Sequence, residues 1–374
     1  ALMMPSIVFM ALAGVLGGIL NANNIFGPPA LGPALMNLVI ILAAIIPGTW
    51  LGVYGLVLGT VLGAILYVLI QIPALRQAGF TYTFTITDRQ QIMGQVLSSL
   101  WPVFLITSIS QVYTIIDLRL ASGLAEGSIT ALNYARKLMQ LPYGIFVSAI
   151  TTAIFPTLSR LVAQESIAEA AATLRKGMKV ILLLALPCSI GLGVLRQPIT
   201  ILLFERGAFN SQASAMTAEG LLYYAFGLVG LCLYLPLTRG FFAMQDMRTP
   251  FFICLGMVAV KLFLSLAFRA SLKHGGLALA TSAAISLNAV MLFFCLERRM
   301  LKLWDNSFFG YIGAVLLASL VMGIGIREID MFLAGYFAQQ KRRLLVRVGL
   351  DIAAGAIIFT TLGYWLKLYK PQKI

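Results

Sequence analysis

Long, unbroken apolar runs alternate with short polar segments along almost the whole chain. A helix needs about 20 largely apolar residues to cross the roughly 30 Å hydrocarbon core of a bilayer. About eleven stretches meet that requirement: 3–20, 31–47, 52–71, 92–116, 130–155, 178–203, 217–237, 250–268, 276–296, 308–325 and 346–367. The runs are continuously apolar and lack the dyad alternation of an outer-membrane barrel, so strands are not expected. The pattern predicts an all-α, polytopic membrane helix bundle. Small residues such as Gly14, Gly17 and Gly18 are read as sites where helix backbones approach closely in lipid.

The polar breaks carry an orientation signal. With the 72–91 loop on side one, that side gathers Arg160, Arg175, Lys176, Lys179, Arg298 and Arg299, whereas side two holds Arg119, Arg196, Arg206, Arg269 and Lys273. Basic residues accumulate on the cytoplasmic side, so side one is read as cytoplasmic. The 326–347 loop, with its Lys341-Arg342-Arg343 cluster, breaks the rule and is read as translocated against its charge.

Composition narrows the classes. Hydrophobic residues make up 60% and charged residues 11% of 374. A soluble domain averages roughly 25% charged residues. A soluble enzyme, a nucleic-acid binder and a disordered chain are therefore excluded together. The net charge of +14 is read as loop charge facing anionic lipid. His274, the one histidine, is placed in a loop and leaves little for acid–base or metal chemistry. Cys188, Cys232, Cys254 and Cys295 sit inside apolar runs without metal-type spacing, and read as small buried hydrophobes. No phosphate-loop motif is present. No enzyme activity, metal or cofactor is expected. The chain opens on Ala1 directly inside an apolar run, without a signal peptide, and this start reads as a cut end.

An internal repeat is visible. Gly18-Ile-Leu-Asn-Ala-Asn-Asn-Ile-Phe-Gly-Pro28 matches Gly240-Phe-Phe-Ala-Met-Gln-Asp-Met-Arg-Thr-Pro250 at a spacing of about 222. Each ends a span, makes a polar turn and opens the next span near a proline, whose missing N–H has no partner to lose there. Gly55-Leu-Val-Leu-Gly-Thr60 and Gly276-Leu-Ala-Leu-Ala-Thr281 match at about 221. The second copy has about three spans, within 92–203, that the first lacks. About three helices, in some 130 residues, are therefore expected upstream of Ala1. The whole would have fourteen spans in two pseudo-symmetric six-helix lobes plus a C-terminal pair, a transporter arrangement.

Charges inside spans are the sharpest functional pointers, because each costs about 2.5–3.5 kcal/mol at the bilayer centre on insertion scales. Three cations lie well inside runs: Arg136 and Lys137, in Asn133-Tyr-Ala-Arg-Lys-Leu-Met-Gln-Leu-Pro142, and Lys261. A cavity lined by such cations would attract phosphate. The bland reading is snorkelling to the interface. Lys261 has no carboxylate in its own span, so a cavity or a cross-helix contact is expected. Asp117 and Arg119 read as an interfacial pair, Asp246 and Arg248 as turn residues, and Glu219, Glu205 and Arg206 as solvated or capping residues. Tyr134 and Trp101 read as packing or belt aromatics that could line a sugar path. Asp351 is placed near the end of the last span, facing water.

Five strings stand out in order along the chain: Tyr134-Ala-Arg-Lys-Leu-Met-Gln-Leu-Pro142, Phe155-Pro-Thr-Leu-Ser-Arg160, Leu203-Phe-Glu-Arg-Gly-Ala-Phe209, Arg239-Gly-Phe-Phe-Ala-Met-Gln-Asp-Met-Arg-Thr-Pro250, and Lys273-His-Gly-Gly-Leu-Ala-Leu-Ala-Thr281 with Leu287-Asn288. Together they closely resemble the MurJ (MviN) lipid II flippases. The resemblance runs over essentially the whole chain, in order. It implies the multidrug/oligosaccharidyl-lipid/polysaccharide exporter superfamily, with fourteen helices. Here 1–75 would be the last three helices of the N-terminal lobe, 88–300 the C-terminal six-helix lobe and 306–374 two extra helices forming a groove for a lipid tail.

The resemblance also implies a role. An inner-membrane, multi-pass protein would move undecaprenyl-pyrophosphate-linked peptidoglycan precursor (lipid II) from the cytoplasmic to the periplasmic leaflet by alternating access. Its other implied partners are membrane lipid and, further off, cell-wall synthesis proteins. The family usually carries an essential Arg in Tyr-Ala-x-Arg-Leu; that position is Lys137 here, preceded by Arg136. Lys keeps the charge but not the bidentate fork. The family's other cavity arginines lie in its first helices, so this stretch alone is not expected to flip lipid. Other readings are an O-antigen or other polysaccharide-lipid flippase, a cation-coupled drug exporter, and a non-transporting cell-wall scaffold.

Overall fold

In a computed structural model, residues 2–23, 25–46, 48–80, 94, 108–109, 111–300, 303, 306–336, 341–366 and 368 are described. Every regular element among them is helical. A backbone in lipid must satisfy its own polar groups, and a helix does so within one segment. The surface is accordingly apolar: Phe252, Phe263, Ile324, Phe332 and Ile357 are each more than 60% exposed. Nine helices among the described residues are long and apolar enough to cross a membrane. The chain divides into two compact units, Ala1–Ile92 and Met93–Ile374.

The first unit holds α1 (Met4–Ala22), α2 (Gly27–Ile45), α3 (Gly48–Leu51), α4 (Val53–Leu69) and α5 (Ile72–Gln77). Prolines occupy the first turns of α1, α2 and α5, where a missing N–H costs nothing. Gln71 is fully buried and donates to the carbonyl oxygens of Ala13 (3.2 Å) and Tyr67 (3.1 Å), tying α4 to α1. The close-approach reading holds for Gly17, where an added Cβ would sit 3.4 Å from Gln71. Gly14 and Gly18 are exposed and meet nothing described within 4 Å.

The second unit begins, among described helices, with α6 (residues 111–121). It continues with α7 (Ser128–Pro142), a π turn (Tyr143–Val147), α8 (Ser148–Ala163), α9 (Ile167–Val194), α10 (Arg196–Phe204), α11 (Ser211–Ala243), α12 (Arg248–Met300), α13 (Asn306–Tyr336) and α14 (Lys341–Trp365). Two expected boundaries change. The 178–203 run breaks at Leu195, so α9 and the short α10 replace one span. The 326–347 loop is mostly helix, since α13 runs on to Tyr336 and α14 starts at Lys341. Most of the 92–116 run, with Trp101, lies outside the described residues.

As one rod, the 53 residues of α12 would be about 80 Å long. The chain instead reverses at Lys273, whose φ of 50° and ψ of −127° are not helical. Arg299 donates to Thr249 and Asn288 to the Cys254 sulfur, so the arms run antiparallel. α12 therefore supplies the expected pair 250–268 and 276–296. Its second arm packs on α11 with no room to spare: an added Cβ on Gly227 or Gly230 would come within 2.6 Å of the Cα of Ser282 or Ser286.

The backbone repeats too, with its turns one residue closer than the spacing of 222 at which the strings match. α1 ends at Ala22 and α11 at Ala243; α2 starts at Gly27 and α12 at Arg248. The same hydrogen bond closes both turns, Ile25 N to Leu20 O (2.9 Å) and Asp246 N to Phe241 O (3.0 Å). Every one of these pairs is 221 residues apart, as subtraction shows (243 − 22, 248 − 27, 246 − 25).

Candidate functional site

Lys261 lies mid-way along the first arm of α12 and is completely buried. An ammonium there needs a counter-charge. Asp117 of α6 supplies it, Oδ2 to Nζ 2.8 Å, and is itself buried. Lys261 also donates to the Tyr113 carbonyl oxygen at 2.7 Å and lies 4.7 Å from the centre of the Tyr113 ring. Asp117 is therefore not the interfacial partner of Arg119, which is exposed on the same helix. Both charges are in low dielectric, where each stabilises the other far more than a water-facing neighbour would.

Arg136 joins this group from α7. Its guanidinium donates to Thr114 Oγ1 (3.0 Å) and Asn133 Oδ1 (3.1 Å). Thr114, Asp117, Asn133, Arg136 and Tyr224 line one small cavity between α6, α7 and α11. Successive helical residues diverge by about 100°, so Lys137 points elsewhere. It is exposed, with Nζ 5.6 Å from the Tyr134 ring centre. Tyr134 in turn packs against Phe204 and Phe209, which matches the packing role expected for it. The three candidate cations thus separate: Arg136 and Lys261 gather around Asp117, and Lys137 stands outside.

The Asp117–Lys261 pair was not read from the sequence, because the partners are 144 residues apart (261 − 117). The available signal is Lys261 itself, an in-span cation with no carboxylate in its own span, which calls for a partner on another helix. Other polar residues also move. His274 is not in a loop; it is buried just after the α12 reversal, 3.0 Å from the Met216 carbonyl oxygen and 3.5 Å from the Glu219 carboxylate. Asp351 does not face water but is fully buried.

Asp246 does hold the repeat turn. Its Oδ1 accepts from the backbone N–H groups of Arg248 (3.0 Å) and Thr249 (3.1 Å), capping α12, and its Oδ2 pairs with Arg299 at 2.7 Å. Partial burial alone would raise its carboxyl, but the Thr249 and Arg248 hydrogen bonds and the Arg299 charge outweigh it and hold the group below the usual carboxylate range.

Residues 1–343 match the family model described as "Lipid II flippase MurJ". The chain belongs to the lipid II flippase MurJ family. It is 30% identical to the lipid II flippase MurJ of Burkholderia cenocepacia, over 99% of this chain and 73% of that protein. It is also 30% identical to a probable lipid II flippase MurJ of Thermotoga maritima, over 99% and 71%. Among solved structures, "Lipid II flippase MurJ, inward closed conformation" superposes with a TM-score of 0.78 at 26% identity, covering 97% of this chain and 73% of that one. A Vibrio cholerae MATE transporter, VcmN in the bent form, shares the fold at a TM-score of 0.58 and 15% identity, over 83% and 69%. Membership of the MurJ family and the nine apolar helices make this a multi-pass protein of the bacterial inner membrane.

Proposed function

We propose that the protein moves lipid II from the cytoplasmic to the periplasmic leaflet by alternating access, and is a transporter rather than an enzyme. The observation that carries this reading is the family match over residues 1–343. The polar group within the second unit supports it, since buried cations are retained in a membrane only where charge is used or compensated.

Lys137 is the cation best suited to capture the pyrophosphate. It is exposed and has no ion-pair partner among the described residues. Charge-assisted hydrogen bonds to phosphate oxygens would offset the cost of an ammonium at that depth. Arg136, held by Thr114 and Asn133, keeps a second positive charge behind it. Lys261 is neutralised by Asp117 and acts through the shape of α6 against α12 rather than by touching substrate.

The complete gene that carries this sequence, introduced into cells depleted of their own lipid II flippase, should restore growth and clear accumulated precursor from the inner leaflet. No rescue at normal protein abundance would sink the reading. Restored export of O-antigen without restored cell-wall synthesis would point to a different lipid-linked sugar.

A further inference from the structure

Where α13 meets α14, two carboxylates share one guanidinium. Asp330 Oδ1 receives both Arg347 Nε at 2.8 Å and Nη2 at 2.7 Å. Asp351 follows Arg347 by one turn of α14, so the two share the helix face that meets Asp330. Its side chain is fully buried, and neither carboxylate oxygen has a hydrogen-bond donor among the described residues.

Two adjacent carboxylates resist joint ionisation, and an ionised carboxylate is an acceptor only. Arg347 balances one charge and, among the described residues, donates to Asp330. We propose that Asp351 is a proton-binding site, its carboxylic O–H donating to the Asp330 carboxylate. The trio then has zero net charge, which a low-dielectric setting demands. A metal cation would also balance the charge, but hard cations take six or more oxygens, and among the described residues no cluster of three or more His, Cys, Asp or Glu side chains stands here.

The proton has a route. Asp330 is 20% exposed and borders a cleft of about 640 Å³, lined also by Arg196, Gln197, Phe226, Arg327 and Met331. Asp351 is fully buried and does not itself line the cleft. Among the described residues, the charged groups around the pair are Arg327 on α13, Arg347 on α14 and Arg196 at the head of α10. From α9, the residues that line the cleft are Ser189, Ile190, Gly193 and Val194, none of them charged. Loss of the proton leaves one uncompensated negative charge in the seam that Val315, Ala318, Met322 and Phe359 otherwise close by apolar contact. The α13–α14 pair is thereby made sensitive to protonation through the cleft.

Infrared difference spectra of the whole protein in nanodiscs test this. The wild type at neutral pH should show the carbonyl stretch of a protonated carboxylic acid, shifted in deuterated water and lost in Asp351→Asn. Asp246→Asn should leave it unchanged. Asp330→Asn should retain the band but move its disappearance about one pH unit lower, a tenfold weaker hold on the proton, because Arg347 is freed to favour ionised Asp351. That variant keeps the test decisive even if Asp351→Asn does not fold. A wild-type protein without such a band, a band untouched by both variants, or a band that appears only after cations are removed would overturn the assignment, the last in favour of a cation site.

Discussion

Gly52 and Lys273, 221 residues apart (273 − 52), bend the chain through the same backbone angles: φ 54° and ψ −128° at the first, φ 50° and ψ −127° at the second. Each stands just ahead of a repeat-matched helix, the one opening Gly55-Leu-Val-Leu and the other Gly276-Leu-Ala-Leu. This conformation suits glycine, which lacks the Cβ that clashes at positive φ. The lysine therefore holds strain of about 1–3 kcal/mol. Lys273→Gly should stabilise the protein by about 1 kcal/mol once the extra freedom of unfolded glycine is deducted. Gly52→Ala should destabilise it. Thermal unfolding in detergent reads both, and a lower midpoint for Lys273→Gly would show that the lysine side chain repays its strain.

A second expectation concerns Lys261 and Asp117. Lys261→Met should cost about 3–5 kcal/mol, because it removes the ion-pair partner of a buried carboxylate and leaves it only the more distant Arg136. Lys261→Met with Asp117→Leu should recover most of that, since two apolar groups remove the charge altogether. Melting of the two variants side by side tests it. A double variant no better than the single would mean that the aspartate has another partner in the membrane.

The helices were legible because lipid imposes one rule on every apolar run, that it must pair its own backbone. The repeat was legible because its turns need particular residues, such as the prolines Pro28 and Pro250 near the starts of α2 and α12. What failed to show was set by long-range geometry. The break between α9 and α10 falls at Leu195, between apolar stretches that read as one span. His274 reads as a loop residue because it falls in the polar break between two apolar runs, yet the reversal at Lys273 turns it inward against α11. Of the three candidate cations, the sequence placed Arg136 and Lys137 side by side, but only contact with Thr114 and Asn133 shows that Arg136 is the one turned inward.

Acid should loosen the repeat turn at Asp246. The folded carboxyl is held below its ordinary value, so its stabilisation is complete above the unfolded value of about 3.9 and is lost as pH falls through the lower folded one. At neutral pH, Asp246→Ala should cost about 1 kcal/mol, the usual worth of a helix cap. The variant's stability should also vary less with pH across that acid window. An unchanged acid limb would assign the titration to other carboxylates.

The last expectation separates Arg136 from Lys137. Arg136 is tied into the polar group, and its loss strips partners from Thr114 and Asn133 beside a buried ion pair. Arg136→Ala should therefore lower both stability and transport. Lys137 makes no hydrogen bond or ion pair that folding would lose among the described residues, so Lys137→Ala should leave the melting midpoint within a degree or two, about 0.5 kcal/mol, as surface changes do. If Lys137 holds pyrophosphate, the same change should reduce flipping strongly, and the double Ala variant should abolish it. Lys137→Arg should be tolerated, because a guanidinium can grip two phosphate oxygens at once. Precursor accumulation in cells that depend on each variant, with abundance measured in parallel, gives the comparison. Normal flipping by the double Ala variant at normal abundance would remove both residues from substrate capture. Flipping lost only with Arg136 would move that role to the guanidinium beside Asp117.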